Sequence, residues 1–118
     1  MTDRNKLKQA YKLNPPPAGV YQIKNLRNGK ILIGSALNVH GKRNGIQFEL
    51  RQGHHFNEAL QADLDQFGPE AFVVEILDEL KPAEGETRVD PEELRALEAL
   101  WLEKVQPYNE KGYNVRKG

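Results

Sequence analysis

The sequence predicts a small antiparallel α+β domain, and three features carry that reading. Two β-prone runs joined by a polar turn stand at 19–35. Two helical segments separate them from a third β-prone run at 71–77. An amphipathic helix follows after residue 90. Strands that precede and interrupt helices, without regular βαβ alternation, favour an antiparallel sheet over a doubly wound parallel one. The 118 residues suit one domain with a single core.

Residues 1–18 form an N-terminal arm. It is polar and then broken by "NPPPAG", where Pro15, Pro16 and Pro17 predict a short extended spacer. Tyr11 and Leu13 are its candidates for packing on the domain. "GVYQIKN" alternates Tyr21 and Ile23 with Val20, Gln22 and Lys24, which suits a pleated surface. Asn28-Gly29 in "LRNG" is a hairpin signal. Ile31-Leu32-Ile33 is apolar throughout and reads as a central strand covered on both faces. Asn38 caps a helix running through Lys42 to about Arg51, weakened by Gly41 and Gly45. "NEALQADLDQFG" is a stronger helix, begun by His54-His55 and closed by Gly68. "AFVVEIL", Ala71 to Leu77, is a third strand, and Lys81 to Val89 a loop. Asp90-Pro91 starts the last helix, with Leu94, Leu97, Trp101 and Val105 as its apolar stripe. "QPYNEKGYNVRKG" ends the chain irregularly.

Composition excludes some chemistry. The chain has no cysteine, so it has no disulfide, no thiolate zinc site and no cysteine nucleophile. No apolar run approaches the roughly 20 residues of a membrane span. The start "MTDRNKLKQAYK" lacks the apolar core of a signal peptide. A soluble, cytoplasmic protein without a membrane partner is the expectation. Net charge is zero, but residues 1–58 carry +7 and residues 59–118 carry −7. The basic half suits a polyanion such as DNA; solvated surface with internal pairing explains the same numbers.

Few residues suggest chemistry by themselves. Tyr21 shares a face with Ile23 and reads either as core or as a catalyst. Its phenol, with an ordinary pKa of about 10, needs a nearby cation to act as a base near neutrality. Glu98 lies beside the stripe of Leu94, Leu97 and Trp101, while Glu92, Glu93 and Glu103 face water. A carboxylate there either snorkels to solvent or pairs with a cation. His40, His54 and His55 lack metal-cluster spacing. There is no phosphate-cradling glycine loop and no nucleophile elbow.

Six blocks, in order, resemble the GIY-YIG nuclease family in its small single-domain bacterial form. They are "GVY" at 19–21, "LIG" at 32–34 with "GSALN" after it, "HFNEALQADLDQFG" at 55–68, "AFVVEIL" at 71–77, "LEALWLEKV" at 97–105 and "GYN" at 112–114. The resemblance covers Ala18 to Val115 and implies a nuclease domain over 19–115 with a short tail at 116–118. It implies a three-stranded antiparallel sheet flanked by helices and metal-dependent hydrolysis of DNA phosphodiesters. Tyr21 would be the general base or would orient the attacking water. Glu98 would ligate Mg²⁺ or Mn²⁺, and Asn114 would help orient the site.

Three departures stand out. Leu32 replaces the second-motif tyrosine. The helix-1 arginine of the family falls on Lys42, with Arg43 beside it, and lysine lacks the bidentate fork. The histidine one turn later falls on Ile46, for which His40, His54 or His55 are the available substitutes. Losing one donor in such a site can cost ~10²–10³-fold. The residues therefore support two functions of different class. One is a weakened DNA endonuclease. The other is a catalytically inactive nucleic-acid-binding domain of the same fold, binding through Lys42, Arg43 and Arg51. A protein–protein module using apolar surface near the arm is a third.

Overall fold

Alternating β-branched and aromatic residues build the sheet, and helix caps divide the rest. The computed structural model describes residues 15–116. Its elements are β1 (Ala18–Asn25), β2 (Ile31–Ala36), α1 (Val39–Arg51), α2 (Glu58–Phe67), β3 (Phe72–Leu80) and α3 (Pro91–Val105). The sheet is antiparallel throughout, in the order β2-β1-β3. This is the α+β class that the sequence predicts, a three-stranded antiparallel sheet flanked by helices. The packing expected of Tyr11 and Leu13 lies outside the described residues. Among those described, no helix is long and apolar enough to cross a membrane.

The caps fall where short polar residues meet periodic ones. Asn38 accepts from the Gly41 N–H at the start of α1, Asn57 from Leu60 at α2, and Asp90 from Glu92 at α3. The Pro17 carbonyl accepts from the Val39 N–H, which ties the end of the spacer to α1.

Strand residues alternate between faces. Tyr21, Ile23, Leu32 and Val74 join Val39, Ile46 and Leu50 of α1 and Leu60 and Leu64 of α2 in the main core. The opposite face carries α3, where Ala18 packs with Val89 and Leu94. The stripe expected on α3 is only partly covered: Leu94 is buried, and Leu97, Trp101 and Val105 are half-buried. The Trp101 indole N–H donates to Asp78 Oδ2 at 3.2 Å and anchors that helix. A bulge on β3 interrupts the pairing of β1 between Val20 and Tyr21. Beside it, a Cβ on Gly19 would collide with the Asp78 carbonyl, so only glycine lets the two backbones approach.

Of four expectations, three are corrected and one is borne out. The central strand is β1, and the apolar run Ile31-Leu32-Ile33 lies in β2 at the edge. Its apolarity still has a cause. Leu32 and Ile33 are buried on opposite faces, and the C-terminal segment covers its outer side. Second, the Asn28-Gly29 signal is borne out as a hairpin, with β1 and β2 pairing antiparallel across it through more than two residues. The connection runs from Leu26 to Lys30, Gly29 N–H bonds the Asn25 carbonyl at 2.7 Å, and only Gly29 there has a positive φ. Third, His54-His55 do not begin a helix; they lie in the loop before α2, whose cap is Asn57. Fourth, the C-terminus is not irregular. Gly112 bridges Ile31 in parallel, and the Tyr113 N–H bonds the Ile31 carbonyl at 2.9 Å.

That segment is held by a buried polar cluster. Asn25 is fully buried and donates to the Tyr113 hydroxyl at 3.1 Å. The hydroxyl donates in turn to Asp63 of α2 at 2.7 Å, and Asn28 donates to the same carboxylate at 3.0 Å. Burial pushes Asp63 up, but the bonds from Tyr113 and Asn28 and the Lys30 charge outweigh it, and its carboxyl titrates below the usual range. Burial and the Asp63 bond push the Tyr113 phenol from 10.0 up to about 12.

Tyr113→Phe should therefore cost about 1–3 kcal/mol at neutral pH, because it removes the hydroxyl that accepts from buried Asn25 and donates to Asp63. The depressed Asp63 stabilises the fold above its unfolded pKa and loses that contribution as pH falls. The raised Tyr113 stabilises it below pH 10 and loses that contribution toward pH 12. Urea midpoints for wild type and Tyr113→Phe should converge at both extremes and differ most between them.

Candidate active site

The site forms where β2 meets α3 across one pair of adjacent residues, Gly34 and Ser35. Tyr21 of β1 pairs with Gly34. A Cβ at position 34 would fall inside 3.0 Å of the Tyr21 hydroxyl and ring, so the missing side chain is what lets the phenol lie over β2. Ser35 points to the other face and donates to Glu98 Oε1 at 2.5 Å. Tyr21 and Glu98 thus approach the same point of β2 from opposite sides. Helical spacing put Glu98 beside the apolar stripe, and it is half-buried there.

The electrostatics follow. Burial raises the Tyr21 phenol above 10.0, and the negative charges of Glu98 and Glu49 raise it further. The phenol is therefore protonated at neutral pH. His55 lies in the loop between α1 and α2. Burial lowers its pKa below 6.5, the Glu49 carboxylate pulls it back up, and the Lys42 charge lowers it. Its Nδ1 accepts from the Asn57 N–H at 3.0 Å, which assigns the neutral ring's proton to Nε2. The group available to a ligand is then an Nε2–H donor.

Helix α1 presents two cations differently. Lys42 is exposed. Arg43 falls on the core-facing stripe with Val39, Ile46 and Leu50, is half-buried, and has a buried Nε without a partner among the described residues. Neither described ion pair engages it. An orphaned guanidinium nitrogen of this kind suits an anion. Ile46 is buried and packs in the main core, so no ionisable group stands at that position. Leu32 is likewise core. His40 bonds Glu79 at 2.9 Å at the end of β3, and His54 is exposed; His55 senses the charges of Lys42 and Glu49.

Asn114 sits beside β2 and does not offer its amide to a ligand. Its Oδ1 accepts from the Ile33 N–H at 2.8 Å, and its Nδ2 donates to the Ile33 carbonyl at 2.9 Å. It holds the strand next to Gly34.

The donor set limits the metal. Among the described residues no three His, Asp or Glu side chains cluster as ligands. Zinc, which needs three or four protein ligands, does not fit. Mg²⁺, which takes one or two carboxylates with waters and substrate phosphates, fits a lone Glu98. Ser35 holds one Glu98 oxygen, and no described side chain donates to Oε2.

Sequence reading missed Glu49, Gly34 and Ser35. Glu49 was findable, because it follows Lys42 by two helical turns on one stripe. Gly34 and Ser35 matter only through pairing with Tyr21 and Glu98, distant in sequence.

No family model matches the chain, and no curated protein does. Two solved structures do. One is the catalytic domain of the homing endonuclease I-TevI, 26% identical over 85% of this chain and 99% of that one, with a TM-score of 0.66. The other is a glutamate-to-alanine mutant of the same intron endonuclease domain, 24% identical over 86% and 96% of the two chains, with a TM-score of 0.65. The chain has a GIY-YIG-like fold.

Gly34→Ala should cost about 1–3 kcal/mol by overpacking against Tyr21. In a Tyr21→Ala background the same change should cost much less. A double-mutant cycle on denaturation midpoints measures the coupling, and additive effects would separate Gly34 from Tyr21.

Proposed function

We propose that this chain is a metal-dependent DNA endonuclease that hydrolyses phosphodiester bonds. One observation carries the reading: in a fold shared with a homing-endonuclease catalytic domain, Ser35 holds the Glu98 carboxylate beside the residue over which the Tyr21 hydroxyl lies. The fold alone would fit other tasks. A partly buried carboxylate and a phenol brought together across a strand fit this one.

Each residue then has a role. Glu98 is the protein ligand for Mg²⁺ or Mn²⁺, which when bound stabilises charge developing on the phosphate and the leaving oxygen. The Tyr21 oxygen accepts a hydrogen bond from the attacking water, and its proton is donated toward the phosphate. That division fits a phenol kept protonated by burial and two carboxylates. Arg43, through its unpartnered Nε, and Lys42 hold the phosphate. His55 donates from Nε2 and takes the place of the imidazole that Ile46 lacks. Asn114 is a positioning residue: it fixes the backbone of Ile33 and so the register of Gly34 and Ser35. Glu49 adds a negative charge that raises both the Tyr21 and the His55 pKa, secondary to burial at each, without touching substrate.

The test is cleavage of supercoiled, branched and single-stranded DNA with Mg²⁺ or Mn²⁺. Wild type should cut and Glu98→Ala should not, with the mutant's circular dichroism unchanged. Equal cutting by purified Glu98→Ala would overturn the reading, and so would no cutting by wild type on any substrate with either metal. His55→Ala should lower the rate ~10²–10³-fold, as loss of one transition-state donor does. Because burial keeps this ring neutral near pH 7, its protonation at acid pH breaks the Asn57 bond. Cleavage should fall as pH drops through the His55 pKa, and that acid limb should be absent from the residual activity of His55→Ala.

A further inference from the structure

The loop between α1 and α2 displays a feature that phosphate chemistry leaves unused. Phe56 is 83% exposed, and its ring stacks on the His55 imidazole with centroids 4.6 Å apart and planes 25° from parallel. A single exposed phenylalanine is ordinary on a protein surface. This one is backed by the imidazole that faces Lys42 and Glu49, and it is rigidly carried. The His55 N–H donates to Gln61 Oε1 at 2.7 Å, and Gln61 Nε2 donates to the Gly53 carbonyl at 2.9 Å. The Asn57 side chain caps α2 and donates to the Tyr113 carbonyl at 3.0 Å. The loop is thus pinned to α2 and to the C-terminal segment, and the Phe56 ring stands out with one face toward His55 and its outer surface open to water.

We infer that the His55–Phe56 stack is a platform for an unpaired nucleobase of the DNA substrate, beside the phosphate being cleaved. It rests on the DNA-cleaving reading of the site. The surroundings have the charge that a DNA strand requires: between Val39 and Asn57 stand Lys42, Arg43 and Arg51 against the single acid Glu49. Aromatic rings flanked by cations bind unstacked bases without sequence preference, because every base has a π-face. Perfect duplex keeps its bases stacked on each other and offers no such face. The platform therefore selects DNA with an unpaired base, whether single-stranded, bulged or flipped out. It also explains why a phenylalanine faces water next to a polar site.

The experiment is equilibrium binding in EDTA at fixed salt, so that no strand is cut. The probes are a single-stranded oligonucleotide, a duplex with one bulged 2-aminopurine, and the matching perfect duplex. The proteins are wild type, Phe56→Ala and Phe56→Trp. Phe56→Ala should weaken binding to the first two probes roughly 5- to 150-fold, the range for loss of one base–aromatic stack, and leave perfect duplex unchanged. Phe56→Trp should retain binding. 2-Aminopurine emission should be quenched by wild type and not by Phe56→Ala. If Phe56→Ala binds the bulged probe as wild type does, or weakens all three probes equally, the platform is wrong while the nuclease reading stands. If wild type binds none of the three, the platform falls, and the cleavage assay with metal decides the nuclease reading separately.

Discussion

Everything at the site depends on how one edge strand is held. β2 is an outer strand, and such a strand exposes unpaired backbone groups and is free to slip. Asn114 removes that freedom by bonding both the N–H and the carbonyl of Ile33 with one side chain. Tyr113 bonds Ile31 on the same side and is itself tied through Asp63 to α2. A shift of one residue along β2 would exchange the faces of Gly34 and Ser35. The phenol would then meet a side chain, and Glu98 would lose its donor. The C-terminal clamp is therefore a condition for the geometry and not an addition to it.

From that clamp the charge pattern follows. Tyr21 is buried in the core and close enough to two carboxylates for both to act on it, so its proton is retained. His55 is kept neutral by burial, and the amide of Asn57 assigns its tautomer. Neither group is tuned as a strong base in the isolated chain.

The family departures read differently once the core is known. Leu32 and Ile46 are not vacancies in a polar site; both pack in the main hydrophobic cluster with Tyr21. Their hydrocarbon stabilises the sheet against α1 where ionisable groups would have to be desolvated. Nearby, His55 lies in the loop after α1, and Arg43 stands on the core-facing stripe of that helix, a place set by helical spacing with Val39 and Ile46.

The helices were largely legible in the sequence, because periodicity and capping act over three or four residues. Asn38 and Asp90 stood at the ends where they cap, and Glu98 stood beside its stripe before any fold was known. β-Propensity located three strands, although an apolar run could not say whether a strand was central or an edge. That order depends on pairing between segments far apart, and so does the site. Ser35 and Glu98 are 63 positions apart, and Ile33 and Asn114 are 81 apart. No local pattern records such a contact. The sequence by itself determined which residues could form helices, turns and strands. Only the tertiary structure decided that Gly34 would be the gap beneath a phenol, that His55 would be the imidazole facing Lys42 and Glu49, and that Asn114 would serve the backbone. Those outcomes arise from long-range register, which chain closure and burial establish together.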